Sequence, residues 1–284
     1  MATKKAATKA KKSTAKKQST TTVKVLAKDN SKKTSVQSSV AKPTKSKKRV
    51  LSSVSFSAVI AEFIGTFLLA ALVIVTQGNP FFVGFTLIGL VLIMSTLSNA
   101  FFNPALTVAA WITRRINGMT AIAYIIAQSL GAMLSLVVLN WFMKASDVAS
   151  DPSSMLGQGG GGPVELFAAS PIVAGKEWYI IAAEILGTFI FGFAVASVVK
   201  SKERISTAFT VGLGLFIALF VASTAVSTLN ASVILNPAVA IALDALRTLS
   251  VWSIAIYVVG SIIGAIAGFV TFDFLSKNKD EKIS

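Results

Sequence analysis

Between residues 57 and 275 the chain contains six apolar runs, each near the length that crosses a bilayer. Little else constrains a fold so tightly. Inside a bilayer every backbone N–H and C=O must be satisfied internally, so runs of about 20 apolar residues fold as helices. The spacing predicts spans from Ser57 to Thr76, Phe81 to Leu97, Met119 to Met143, Trp178 to Val199, Ser206 to Thr228 and Val251 to Leu275. Fifty-four per cent of the residues are hydrophobic, too many for an ordinary soluble domain. There is no Cys and no His, which removes disulfides, Cys/His metal sites and His-based catalysis.

Two tripeptides break the regularity. Asn103-Pro104-Ala105 follows the second run and Asn236-Pro237-Ala238 follows the fifth. Asn is a strong N-cap, and Pro suits the first helical turn because its missing N–H would be unsatisfied there anyway. Each copy therefore starts a short helix, over Leu106 to Thr113 and Val239 to Leu246, about half a membrane crossing. A half-helix starting inside the bilayer exposes its positive end and free N–H groups, so it must be buried in protein or line a cavity.

The halves repeat. Ala61-Glu62-Phe63-Ile64-Gly65-Thr66 in the first run matches Ala183-Glu184-Ile185-Leu186-Gly187-Thr188 in the fourth. Val83-Gly84 matches Val211-Gly212, and Gly131-Ala132 matches Gly264-Ala265. With three spans per half, the second half sits inverted, and an inverted repeat places its functional site near the midplane. The repeated glycines read as helix-crossing points.

Charge separates a tail from the body. Residues 1–49 hold 16 of the 27 basic residues and one of the 12 acids. They carry almost no large apolar residue and read as a disordered Lys-rich tail. Residues 50–284 balance 11 basic against 11 acidic residues, with the membrane body at 50–276 and a short C-terminus at 277–284. With six spans drawn, the tail, Arg114-Arg115, Lys200/Lys202/Arg204 and Lys277/Lys279/Lys282 share one side. The other side carries Lys144, Lys176 and Arg247 beside four acids, so both termini are read as cytoplasmic and the protein as multi-pass in the cell membrane. For the tail, a solvated segment is the plain reading and contact with anionic lipid the next. Nucleic acid is the weaker one, because no aromatic is interleaved to stack on bases.

The ordered set of Ala-Glu-x-x-Gly-Thr twice, Asn-Pro-Ala twice, Tyr124 to Ala132 and Gly260 to Ala265 resembles the aquaporin and glycerol-facilitator (major intrinsic protein) family over residues 56–275. The resemblance implies an all-α membrane protein of six transmembrane helices plus two re-entrant half-helices, assembled as a homotetramer with one pore per protomer. It implies a passive channel for water or small neutral solutes, with no cofactor, no metal and no enzymatic activity. Asn103 and Asn236 would donate to a passing oxygen. Glu62 and Glu184 would be structural, accepting backbone N–H bonds from the re-entrant loops.

The filter positions carried over by spacing are Val83, Thr224, Val233 and Val239; the last is Arg in most members. A Val, Thr, Val, Val filter lacks that cation and its donors, and is expected to be wider and more apolar than a water-only one. Small polyols, ammonia, hydrogen peroxide and gases fit it. Phe101 stands where the family pattern has a His, and either narrows the cytoplasmic half of the pore or turns into packing. Arg247, two helical turns past Val239, is not a substitute for the missing Arg. A non-conducting structural or adhesion protein and an ion-permeable variant are the alternatives.

Overall fold

The computed structural model describes residues 54–145, 166–167, 169–170, 172–243 and 251–281. The Lys-rich segment at 1–49, the Gly-rich stretch at 157–163, Arg247 and Lys282 lie outside the described residues. Eight α-helices and no strand are found among the described residues: α1 (Phe56–Val75), α2 (Pro80–Met94), α3 (Pro104–Ile112), α4 (Gly118–Ala145), α5 (Glu177–Val198), α6 (Arg204–Val226), α7 (Pro237–Ala242) and α8 (Val251–Glu281).

Five of these, all but α2, α3 and α7, are long and apolar enough to cross a membrane. Helix α2, expected to reach Leu97, stops at Met94. Its 15 residues span about 22 Å, short of the ~30 Å hydrocarbon core. Leu97 N and Ser98 N both fold back onto the Met94 carbonyl, turning the chain toward α3. Arg204 Nη2 donates to the Leu92 carbonyl (2.5 Å), fixing this end of α2 to the start of α6. At its own start α2 is capped by Asn79, whose Oδ1 accepts from Phe81 N, with Pro80 behind it. Helix α8 continues past the expected end at Leu275, and its last turns, from Lys277 on, carry the charges that close the apolar window.

Packing follows the repeat. In the first half α1 lies on α4, and in the second α5 lies on α8; α2 and α6 pack on each other across the halves. Gly84 and Gly212 make that last crossing, since a Cβ on either would run into the other's carbonyl oxygen. The half-helices exchange partners: α3 packs on α8, and α7 on α4. Each is thereby walled in by the opposite half, as backbone at membrane depth requires. Between a third and a half of each long span is buried, and large apolar side chains such as Phe81, Phe85, Ile126, Phe209 and Phe220 stay exposed on the outer faces. Trp141, Trp178, Tyr179 and Trp252 are exposed near the helix ends, where amphipathic rings sit at a membrane–water boundary.

Candidate functional site

The N-termini of α3 and α7 meet. Asn103 Oδ1 accepts from Ala105 N (2.8 Å) and Asn236 Oδ1 from Ala238 N (3.0 Å), so each Asn caps its own helix. Pro104 and Pro237 occupy the first helical turns. Each Asn also bonds across the halves. Asn103 Nδ2 donates to the Leu235 carbonyl (2.8 Å) and Asn236 Nδ2 to the Phe102 carbonyl (2.9 Å). A two-fold-related pair of loops, as in an inverted repeat, makes this reciprocal contact. One hydrogen of each amide is thus committed to the protein, and the other remains for a solute in the cavity that both residues line.

Phe102 and Leu235, the residues before each Asn, are left-handed at φ 48° and 57°. For a side chain with a Cβ this costs roughly 1–2 kcal/mol, and two buried carboxylates offset it. Glu62 accepts from Phe101 N (3.1 Å) and Phe102 N (2.8 Å). Glu184 accepts from Ile234 N (2.7 Å) and Leu235 N (3.0 Å). Both are fully buried, and side chains add further bonds: Gln128 Nε2 donates to Glu62 (2.8 Å) and Ser261 Oγ to Glu184 (2.7 Å). Gln128 Nε2 also donates to Thr107 Oγ1 (3.0 Å), tying α3 into the same network. Gly65 and Gly187, one helical turn after the carboxylates, leave room for the Phe102 ring and the Leu235 side chain. Those two glycines therefore seat the re-entrant loops, whereas the sequence suggested helix crossing. Gln128 and Ser261 were visible as polar residues inside apolar runs, but nothing local tied them to the carboxylates.

The cavity is walled by Leu69 and Val73 of α1, Val83 and Leu87 of α2, Phe191 of α5, Leu215 and Leu219 of α6, and Val239 and Leu243 at α7. Phe101, Val233, Ile234 and Phe167 complete it with the two Asn. No charged side chain is among them. Of the four filter positions, Val83, Val233 and Val239 come together here. Thr224 does not. It is exposed, and its hydroxyl donates to the Phe220 carbonyl. At 100° per residue it lies about 180° around α6 from Leu215, so spacing along the chain misjudged the helix phase. Phe101 is buried and lines the cavity beside Asn103. Phe167 was missed, since a loop aromatic carries no periodic signal. The free space is small, about 30 Å³ for water-sized occupants. The expected apolar lining is present. Aromatic rings and leucines crowd the free space beside the three valines.

Membrane-length helices arranged as an inverted repeat, with two half-helices capped at a shared uncharged cavity, define a transmembrane channel. The family model for "Major intrinsic protein" matches residues 49–228 and 172–283, and the chain belongs to that family. It is 27% identical over 262 residues to "Aquaporin AqpM" of Methanothermobacter marburgensis, covering 76% of this chain and 96% of that protein. It is 30% identical over 219 residues to "Glycerol uptake facilitator protein-like 6" of Lactiplantibacillus plantarum, covering 73% and 92%. The solved aquaglyceroporin from Plasmodium falciparum superposes with a TM-score of 0.56 at 17% identity, covering 76% of this chain and 95% of that one. The protein is a multi-pass membrane protein and a passive channel for water or small neutral solutes, not an enzyme.

Proposed function

We propose that the channel passes compact, weakly hydrated neutral solutes, such as ammonia, hydrogen peroxide and dissolved gases, ahead of glycerol-like polyols. The observation carrying this is the cavity itself: two amide donors in an otherwise apolar, uncharged and narrow passage. A solute crossing Val83, Val233 and Val239 gives up water there and gains almost no hydrogen bonds in return. The penalty grows with each polar group left unpaired, at about 1–3 kcal/mol per group. A triol loses more than ammonia does. The positive ends of α3 and α7 oppose cations at the two Asn. Without a filter Arg they are the sole fixed barrier in this reading, and a reversal-potential measurement tests it.

The pore residues of this reading are Asn103, Pro104, Ala105, Asn236, Pro237 and Ala238, with Val83, Val233 and Val239 as the outer collar. Phe101 narrows the opposite, cytoplasmic side. That side holds the end of α3, the start of α6 and the end of α8, where Arg114, Arg115, Lys200, Lys202, Arg204 and Lys277 gather. An excess of Lys and Arg marks the cytoplasmic face, so both termini lie there, in the cell membrane. Assembly as a homotetramer fits the large exposed apolar faces of the spans, which neighbouring protomers and lipid would share. The basic segment at 1–49 is proposed to rest on anionic lipid.

The test is flux into proteoliposomes of water, glycerol and hydrogen peroxide, for the wild type and Val239→Arg. Peroxide flux well above that of empty liposomes, above glycerol flux, and lost in Val239→Arg is the expected result. Glycerol entering fastest would overturn the solute order. No flux of any solute would favour a structural role on the same fold.

A further inference from the structure

Along α1 and α4, outside the pore cavity, lie two neighbouring clefts of different chemistry. The first lies at the helix ends, between Ser55, Trp111, Arg114, Arg115, Asn117 and Thr120, and reaches inward to Asn99 and Tyr124. The second cleft, further along the same two helices, is entirely apolar, between Val59, Ile60 and Phe63 of α1 and Ala123, Ile126 and Leu130 of α4. It closes where Gly131 lets α4 touch the Phe63 backbone. From Ser55 to Phe63 the helix rises about 12 Å, and from Thr120 to Leu130 about 15 Å, close to one leaflet of the hydrocarbon core.

The polar mouth is positive and carries no carboxylate. Arg115 is already committed: it forms a two-point ion pair with Asp273 (2.8 and 3.1 Å), its guanidinium stacked over Phe269. Arg114, next to it, is exposed and makes no ion pair among the described residues. The first turn of α4 adds its positive dipole end, with Asn117 Oδ1 accepting from Thr120 N (2.8 Å). The Trp111 ring is half exposed beside it, with its polar edge toward the start of α4. A cationic mouth on an apolar slot one leaflet deep has the form of a phospholipid.

We infer that these two clefts together bind one anionic phospholipid, its phosphate held by Arg114 at the start of α4 and an acyl chain lying between α1 and α4. The site is separate from the pore cavity, and its occupancy does not depend on which solute is conducted. It would tie the end of α3, and so the first half-helix, to the lipid composition of the adjacent leaflet.

Full-length protein in detergent would be titrated with phosphatidylglycerol and with phosphatidylcholine, and bound lipid per protomer read by native mass spectrometry. The wild type should prefer phosphatidylglycerol. Arg114→Ala should weaken phosphatidylglycerol about fivefold, the ~1 kcal/mol of one basic side chain at an anionic surface, and leave phosphatidylcholine unchanged. Ala123→Trp, which fills the slot from a half-exposed position, should weaken both lipids. A phosphatidylglycerol preference that survives intact in both variants would overturn the site and assign the preference to the basic segment at 1–49. The absence of any preference in the wild type would overturn it as well.

Discussion

The two Asn side chains occupy matched environments, so their removal should cost matched amounts. Asn103→Ala loses a helix cap, about 1 kcal/mol. It also removes the 2.8 Å donor from the carbonyl of fully buried Leu235, at about 1–3 kcal/mol. The sum is roughly 2–4 kcal/mol. Asn236→Ala loses the equivalent cap and strands the Phe102 carbonyl, bonded at 2.9 Å, so the same range applies. For a chain of this size that corresponds to a fall in Tm of roughly 5–15 °C for each variant. The two bonds run side by side between the same two loops, because each acceptor is the residue preceding the other donor. They should therefore not add: the double variant should differ from the sum by at least ~0.5 kcal/mol. Thermal unfolding in detergent, followed by tryptophan fluorescence, measures all three. A large loss in one single variant with almost none in the other would refute the matched junction. Strict additivity would refute the coupling of the halves through it.

Phe101→Ala removes a buried ring from the cavity wall. Flux of the conducted solute should rise several-fold, with a stability loss below the ~3–5 kcal/mol of a core Phe→Ala, because the ring borders free space. Unchanged flux in a folded variant would show that the ring is packing rather than a constriction. Asp273→Asn should cost about 1–2 kcal/mol: Arg115 is nearly buried, but Asp273 is one-third exposed and its charge is partly screened. Arg115→Lys should cost a similar amount, since an ammonium cannot make both bonds to the carboxylate and loses the stack on Phe269. A Tm within a degree of wild type for both variants would mean the pair does not hold α3 to α8.

How much of this was legible in the sequence depended on whether the signal was local. The spans and the two Asn caps are written in runs of consecutive residues, and the helices begin within two residues of where the apolar periodicity puts them. The role of Glu62 and Glu184 was legible only by resemblance. Their partners, the N–H groups of Phe101 and Phe102 and of Ile234 and Leu235, lie about 40 and 50 positions away. The filter shows the limit most clearly. Val239 and Val233 sit within three residues of Asn236, and both line the same cavity as that Asn. Thr224 is separated from the same Asn by the end of α6, a 3-10 turn at Ser227–Leu229 and a left-handed Asn230. Each of these changes the rise and rotation per residue, so counting twelve positions fixes neither depth nor face. Phe167 lies beyond any such count.

The same reasoning shows why an apolar collar can coexist with an unchanged junction. The strained turns at Phe102 and Leu235 are held from outside the cavity, by Glu62 with Gln128 and by Glu184 with Ser261. The cross-bonds of Asn103 and Asn236 end on backbone carbonyls. None of these contacts involves the side chains at 83, 233 or 239. If these three positions form the proposed collar, it can be aliphatic rather than cationic without loosening either half-helix. Glu62 and Glu184 are the converse case. They line no part of the cavity, yet each holds the N–H groups that aim the Phe102 and Leu235 carbonyls at the Asn amides. Changing either carboxylate should disturb conduction of every solute alike, through the geometry of the junction, whereas changing Val239 should reorder the solutes and leave the junction intact.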